Sequence, residues 1–279
     1  MGDVRAALRR WLLYPSVVMA ASAVGWSLSA DRLLGLPHDA AVQALVFALA
    51  FLFYNRDRLA DHARPDDLLN MAERARWFAA HRRLLLVLMA GAAMGSAGLL
   101  ALRPAMLPPI LAGLGFALAY NVRLLPGGKT PKQLPGLKTP YVAALWTLLV
   151  VVAPAANAGW LLTQPAADER RIGWVALALF GLVAAQITIN DIRDVTGDRL
   201  VGTRTFAVLW GERGARRVAL GCAALTAIAA VALRSAGLLA AAAYAAAYTA
   251  AYRRTADGSF RWPIEASGCA TWLAVAALG

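Results

Sequence analysis

Two stretches of this 279-residue sequence set acidic and amide side chains at helical spacing. In "LFYNRDRLADH" Asp57 and Asp61 stand four residues apart, and in "AAQITINDIRDVTGDRLVG" Gln186, Asn190, Asp194 and Asp198 follow at intervals of four, with Asp191 beside them. Residues i and i+4 share one face of an α-helix, so each stretch predicts a stripe of oxygen donors. Like charges at that spacing cost roughly 0.2–0.5 kcal/mol per pair on a solvated helix, and more near a membrane interior. Positive charge is therefore expected between them. Oxygen donors without His or Cys suit Mg2+, which keeps several waters and is commonly shared between carboxylates and substrate phosphates. Bracketed by Arg and Lys, two such stripes form a receptacle for a diphosphate: the metal neutralises a leaving group and the bases hold its oxygens. The plainer alternative is that these acids only pair with neighbouring arginines at a wet membrane edge.

The elements that must position the stripes follow from composition. Hydrophobic residues make up 60% of the chain and charged residues 16%, with a mean hydropathy of +0.56. An ordinary soluble domain has about 45–50% apolar and about 25% charged residues. The composition excludes a disordered chain and argues against a soluble enzyme. Apolar blocks long enough for about 30 Å of hydrocarbon recur at roughly 11–30, 39–56, 83–102, 105–122, 139–157, 172–190, 218–236, 237–252 and 262–279. The predicted class is all-α: a polytopic membrane protein with nine transmembrane helices bundled around a central cavity. The first block is read as a retained helix rather than a signal peptide, because eight more follow. A formal charge of +12 would suggest nucleic acid in a soluble chain, but here the bases lie between apolar blocks and read as topology signals, so no nucleic-acid partner is expected. Cys222 and Cys269 have no nearby Cys or His, which supports neither a zinc site nor a disulfide framework.

With the N-terminus inside, the inner segments hold 23 of the 28 Lys and Arg residues. The positive-inside rule then places the N-terminus and the three longest polar loops on the cytoplasmic face. Both stripes end helices that run from outside to inside, four spans apart, as in two halves of a pseudo-repeat. The expected organisation is one domain over 1–279, with four-helix halves at about 11–122 and 139–252 and a ninth helix. The segment 66–83 mixes Leu68, Leu69, Met71, Trp77 and Phe78 with charges, and reads either as an amphipathic lid or as an interfacial helix. Gly91, Ala92, Gly95 and Gly98 read as close helix packing. "PGGKT" at 126–130 lacks the first Gly of a P-loop, and His38, His62 and His81 are isolated.

The motifs resemble the UbiA superfamily of intramembrane prenyltransferases. "NDIRDVTGDRLVGTRTFAVLWGERGARR" is similar to the superfamily's second Asp-rich motif, through Asp191, Asp194, Gly197, Asp198, Gly202, Thr205 and Gly211. Asp57, Arg58 and Asp61 are similar to the latter part of its first motif, whereas Phe53 and Tyr54 stand where Asn and Asp are expected. Tyr120, followed by Arg123 and "GGKTPKQLPGLKTP", is a third similarity. The resemblance implies an integral membrane enzyme that ionises an isoprenyl diphosphate with Mg2+ in a membrane cavity. It assigns Asp57, Asp61, Asn190, Asp194 and Asp198 to the metal and its waters, with Asp191 as a further participant. Arg58, Lys138, Arg193 and Arg204 become candidates for the diphosphate oxygens, and Tyr120 for a place near the reacting carbon. Tyr54 is a candidate either to hydrogen-bond the diphosphate or to stabilise a cation with its ring. Phe51, Phe53, Trp146 and Phe180 are candidate chamber walls.

Three activities compete. The leading expectation is prenyl transfer to an aromatic or other lipophilic acceptor. A membrane terpene cyclase would use the same ionisation on farnesyl or geranylgeranyl diphosphate without an acceptor. A transporter would place its acids in broken helices near mid-membrane, whereas these lie at helix ends beside long basic loops.

Overall fold

The computed structural model describes residues 7–61, 65–120, 122, 126, 128, 130–159, 166–253 and 261–279. All regular secondary structure among them is helical. In chain order the helices are α1 (Val17–Leu34), α2 (Ala40–Asp61), α3 (Pro65–Ala80), α4 (Arg82–Leu102), α5 (Leu107–Ala119), α6 (Lys138–Asn157), α7 (Ala166–Leu200), α8 (Phe206–Ala232), α9 (Ala236–Ala251), α10 (Arg261–Glu265) and α11 (Ser267–Leu278). Among the described residues, four helical stretches are long and apolar enough to cross a membrane: Arg82–Leu102, Lys138–Asn157, Arg170–Leu200 and Phe206–Ala232. Shorter apolar helices occupy Pro104–Ala119, Ala236–Ala251 and Ser267–Leu278. Arg123, Lys129 and His62 lie outside the described residues, as does the side chain of Asp61.

Several boundaries differ from expectation for local reasons. The first apolar block is split, because a π-helical turn at Arg9–Leu13 ends before Pro15, and Ser16 takes a left-handed conformation (φ 58°) ahead of α1. Proline has no N–H to continue a helical ladder. In α6 a π turn at Leu148–Val152 precedes Pro154, with the Ala153 N–H donating to the Leu148 carbonyl. The wider turn absorbs the hydrogen bond that Pro154 cannot make. α7 does not stop at residue 190 but runs on to Leu200, so its donors stand on one continuous helix.

α1 lies at the centre, packed against α2 and α11. One buried apolar cluster runs from Met19 through Trp26, Leu45, Val150 and Leu179 to Val275. Its tightest approach is backbone to backbone: a Cβ on Gly268 would lie 2.0 Å from the Ser22 carbonyl oxygen, and one on Gly25 would lie 2.4 Å from the Gly268 carbonyl oxygen. Close contact of small residues is how apolar helices gain packing where no water drives them together. The stripe expected to do this behaves otherwise. A Cβ on Gly91, Gly95 or Gly98 would meet nothing within 4 Å, and α4 instead turns Val87 and Met94 outward. The local pattern of small residues is present there, and Ala92 packs against the core, but no described residue approaches the three glycines. An apolar face of that kind suits lipid.

α10 is tied to its neighbours by polar groups: Ser22 Oγ donates to the Glu265 carbonyl at 2.5 Å, and Gln186 Nε2 to the Ile264 carbonyl at 2.9 Å. Arg261 and Glu265 form a buried ion pair within it. At the end of the bundle away from the acidic stripes, Asp39 precedes α2 and accepts hydrogen bonds from the Ala41 N–H at 2.9 Å and from Arg103 Nε at 2.7 Å. Arg103 holds the Asp39 carboxyl below its ordinary value of 3.8, assisted by those backbone donors. A depressed folded-state value contributes stability that is present above the unfolded value and lost as pH falls through the folded one. The Asp39→Asn variant is therefore expected to have a lower thermal midpoint than the wild type at pH 6, with the gap closing once pH drops below about 4. A gap that stays constant across that range would show that the carboxylate charge contributes nothing.

Candidate active site

Asp57 of the first stripe and Asn190, Asp194 and Asp198 of the second line one cavity of about 420 Å³, whereas Gln186 lies off its wall. α2 supplies Phe53, Tyr54, Arg56, Asp57 and Arg58, and α7 supplies Asn190, Asp191, Arg193, Asp194 and Asp198. Tyr120, just past α5, and Lys138, the first residue of α6, complete the polar end. Below them the wall turns apolar, with Leu49, Ile110, Leu114, Val142, Leu145, Trp146 and Leu149. The lining thus divides into a charged mouth and a hydrocarbon floor. On α5 the wall runs from Tyr120 to Pro109, about 16 Å at 1.5 Å per residue.

Local structure fixes each group. Arg58 donates from Nε to Ser16 Oγ at 3.0 Å, and Asn55 donates to the Pro15 carbonyl at 2.8 Å, so the Pro15–Ser16 break is latched onto α2. Tyr54 stacks on Trp146 with centroids 5.4 Å apart, and the Arg58 guanidinium lies 5.8 Å from the Tyr54 ring centre. With Trp146 stacked on it and Arg58 over its ring, Tyr54 acts as a support for Arg58. Tyr120 stacks on Tyr141 at 4.9 Å. The loop entering α6 is pinned where the Gly136 N–H donates to the Arg204 carbonyl at 2.8 Å. Gly136 has φ 68°, and a Cβ there would lie 2.6 Å from the Phe206 ring, so only glycine suits this junction.

The three acids of α7 are paired with cations of the same site. Lys138 Nζ lies 2.8 Å from Asp191 Oδ1 and 3.5 Å from Asp198 Oδ2. Arg193 donates through Nε and Nη2 to the two oxygens of Asp194, both at 2.7 Å. The second oxygen of Asp191, Oδ2, is buried without a hydrogen-bond partner. Among the described residues, no three His, Cys, Asp or Glu side chains converge on a ready metal position. The donor chemistry nevertheless suits a hard cation: the acidic and amide lining is all oxygen, and the orphaned Asp191 oxygen calls for a further positive or donor group.

Two basic residues of the site were not legible as such in the sequence. Arg56 lines the mouth, and Arg74, buried on α3, reaches the cavity from the connection between α2 and α4. Arg74 sits three residues before Trp77 and four before Phe78, both buried, and this spacing was the available signal for its inward direction. Arg204, by contrast, is exposed and outside the cavity wall; it contributes its backbone carbonyl to the Gly136 junction. Phe51 and Phe180 belong to the core rather than the wall.

An all-helical apolar bundle around a cavity with a charged mouth and a hydrocarbon floor defines an integral membrane protein built for an amphiphilic substrate. The chain belongs to the UbiA prenyltransferase family, whose model matches residues 74–259. The fold is similar to that of the apo structure of a UbiA homolog from Aeropyrum pernix K1, with a TM-score of 0.64 at 18% sequence identity over 94% of this chain and 98% of that one. No curated protein sequence matches the chain. Membership of the family supports intramembrane prenyltransferase-type activity.

Proposed function

We propose that this chain ionises an isoprenyl diphosphate in the cavity and transfers the prenyl group to an aromatic or other lipophilic acceptor. The observation that carries the reading is that Asp57 and the Asn190–Asp198 row line one cavity whose far end is apolar. The described lining holds five cationic side chains (Arg56, Arg58, Arg74, Lys138, Arg193) and four carboxylates (Asp57, Asp191, Asp194, Asp198), an excess of one positive charge. One divalent cation raises that excess to about three, which balances a fully ionised diphosphate ester.

Asp57, Asn190, Asp194 and Asp198, with Asp61 and Asp191, are the residues that would hold Mg2+. When bound, the metal supplies Lewis-acid stabilisation of the departing diphosphate. Arg58, Arg74, Lys138 and Arg193 would hold diphosphate oxygens, with Arg58 kept in place by Ser16 and Tyr54. The carbon–oxygen bond breaks heterolytically, its electron pair staying on the diphosphate. The apolar wall then keeps water from the allylic cation, and Tyr120 and Trp146 present π faces to it. An electron-rich carbon of the acceptor closes the new bond and loses a proton. The balance of 23 inner to 5 outer Lys and Arg supports nine crossings, with the N-terminus and the charged mouth facing the cytoplasm.

The test is incubation of the purified protein in detergent with Mg2+ and labelled geranyl, farnesyl or geranylgeranyl diphosphate, with and without 4-hydroxybenzoate or a naphthoate. Diphosphate release coupled to a prenylated acceptor is the expected result. A cyclic hydrocarbon or alcohol formed without acceptor, and absent from an Asp194→Ala control, would replace transfer by cyclisation.

A further inference from the structure

Lys138 occupies the place where the acidic row is most crowded. Asp191 is almost fully buried and Asp198 is nearly so, two residues before the end of the same helix at Leu200. A buried carboxylate without a counter-charge is strongly disfavoured. The Lys138 ammonium bridges the two, at 2.8 and 3.5 Å. It reaches them from the first residue of α6, whose approach is fixed by the Gly136–Arg204 hydrogen bond. An ammonium has three donors, and two are spent on these acids. A divalent cation arriving alone must therefore displace a resident positive charge whose backbone is pinned. An arriving diphosphate offers that ammonium anionic oxygens of its own, and so frees the carboxylates.

We propose that Lys138 is a resident counter-ion that makes divalent-metal binding at Asp191 and Asp198 conditional on diphosphate. In the empty cavity it takes the place of the metal's charge; on substrate binding it moves from carboxylate to diphosphate. The inference rests on the reading of the cavity as a metal–diphosphate site. Its consequence is thermodynamic coupling: whatever factor diphosphate adds to metal affinity, metal adds to diphosphate affinity, and such factors commonly lie between about 5 and 150.

The experiment uses the full chain in detergent, with Mn2+ as the metal probe read by its paramagnetic resonance signal, and inorganic pyrophosphate as the anion. The wild type is expected to bind Mn2+ weakly alone and about tenfold or more tightly with pyrophosphate. Lys138→Met, which removes the ammonium, is expected to bind Mn2+ alone about tenfold more tightly than the wild type, with the pyrophosphate enhancement largely lost. Lys138→Arg retains the charge and is expected to keep the wild-type dependence. Should Lys138→Met not fold in the absence of ions, its refolding on addition of Mn2+ alone supports the proposal, and Lys138→Gln provides the same affinity comparison. Variants that bind Mn2+ alone no better than the wild type, while the wild type still responds to pyrophosphate, overturn the counter-ion role and leave the metal–diphosphate reading intact. Failure of the wild type to bind Mn2+ even with pyrophosphate overturns both.

Discussion

Asp194→Asn is expected to lower turnover by about 10³-fold, near 4 kcal/mol of transition-state stabilisation, the scale seen when one preorganised charge-stabilising group is removed. Both oxygens of Asp194 engage Arg193, which also lines the cavity, so the substitution removes a carboxylate from the row proposed to hold the metal and leaves its arginine at the mouth. Both side chains retain partial contact with solvent, 23% and 19% exposed. Water can hydrate the guanidinium that is left, and the thermal midpoint is expected to move little. Single-turnover kinetics at saturating Mg2+ separates the two effects. A variant that keeps more than a tenth of wild-type turnover would remove Asp194 from the row proposed to hold the metal.

The Arg261–Glu265 pair predicts the opposite pattern, a large loss of stability from residues that do not line the cavity. Both side chains are buried, at 5% and 2% exposure, and Glu265 Oε2 and Arg261 Nη1 and Nη2 have no hydrogen-bond partners among the described residues. Removing one member of a buried pair costs about 3–5 kcal/mol, because the other charge is left uncompensated. For a chain of this size each kcal/mol moves the midpoint by roughly 2–4 °C, so Glu265→Ala is expected to melt about 10 °C below the wild type. Because the pair lacks further hydrogen bonds, the double variant Arg261→Met/Glu265→Leu is expected to recover most of that loss. Equal loss in the single and double variants would mean that the ion pair itself, and not the avoidance of a lone charge, stabilises α10.

The acidic rows were legible because helix periodicity is a local property: a spacing of four puts Asn190, Asp194 and Asp198 on one face, and all three line the cavity. Lys138 was legible as a loop cation near the site, whereas its insertion between Asp191 and Asp198 depends on the Gly136 junction, a contact between distant segments. Arg74 illustrates the same limit. Its segment reads as amphipathic, and only the packing of α3 against α7 turns that arginine toward the acids. Gly91, Gly95 and Gly98 carry the pattern of a packed helix face, but a pattern names no partner, and among the described residues close approaches to other helices occur instead at Gly25, Gly181, Gly237 and Gly268. Arg204 shows that a motif position can act through its backbone while its side chain points elsewhere.

The π turn of α6 bears on how this fold tolerates changes in chain length. An ordinary helix transmits rotation rigidly, so a residue gained or lost anywhere turns everything beyond it by about 100°. Here one end of α6 is anchored by Lys138 to the acids of α7, and the other by Asn157, whose side chain lies 3.5 Å from Asp39 Oδ2. The wide turn at Leu148–Val152 separates those anchors and already holds one residue more than a regular turn needs. It is a phase adjuster: deletion of a single residue there would regularise the helix and leave Lys138 and Asn157 close to their present phase, whereas a deletion in the regular part of α6 would swing one anchor away by about 100°.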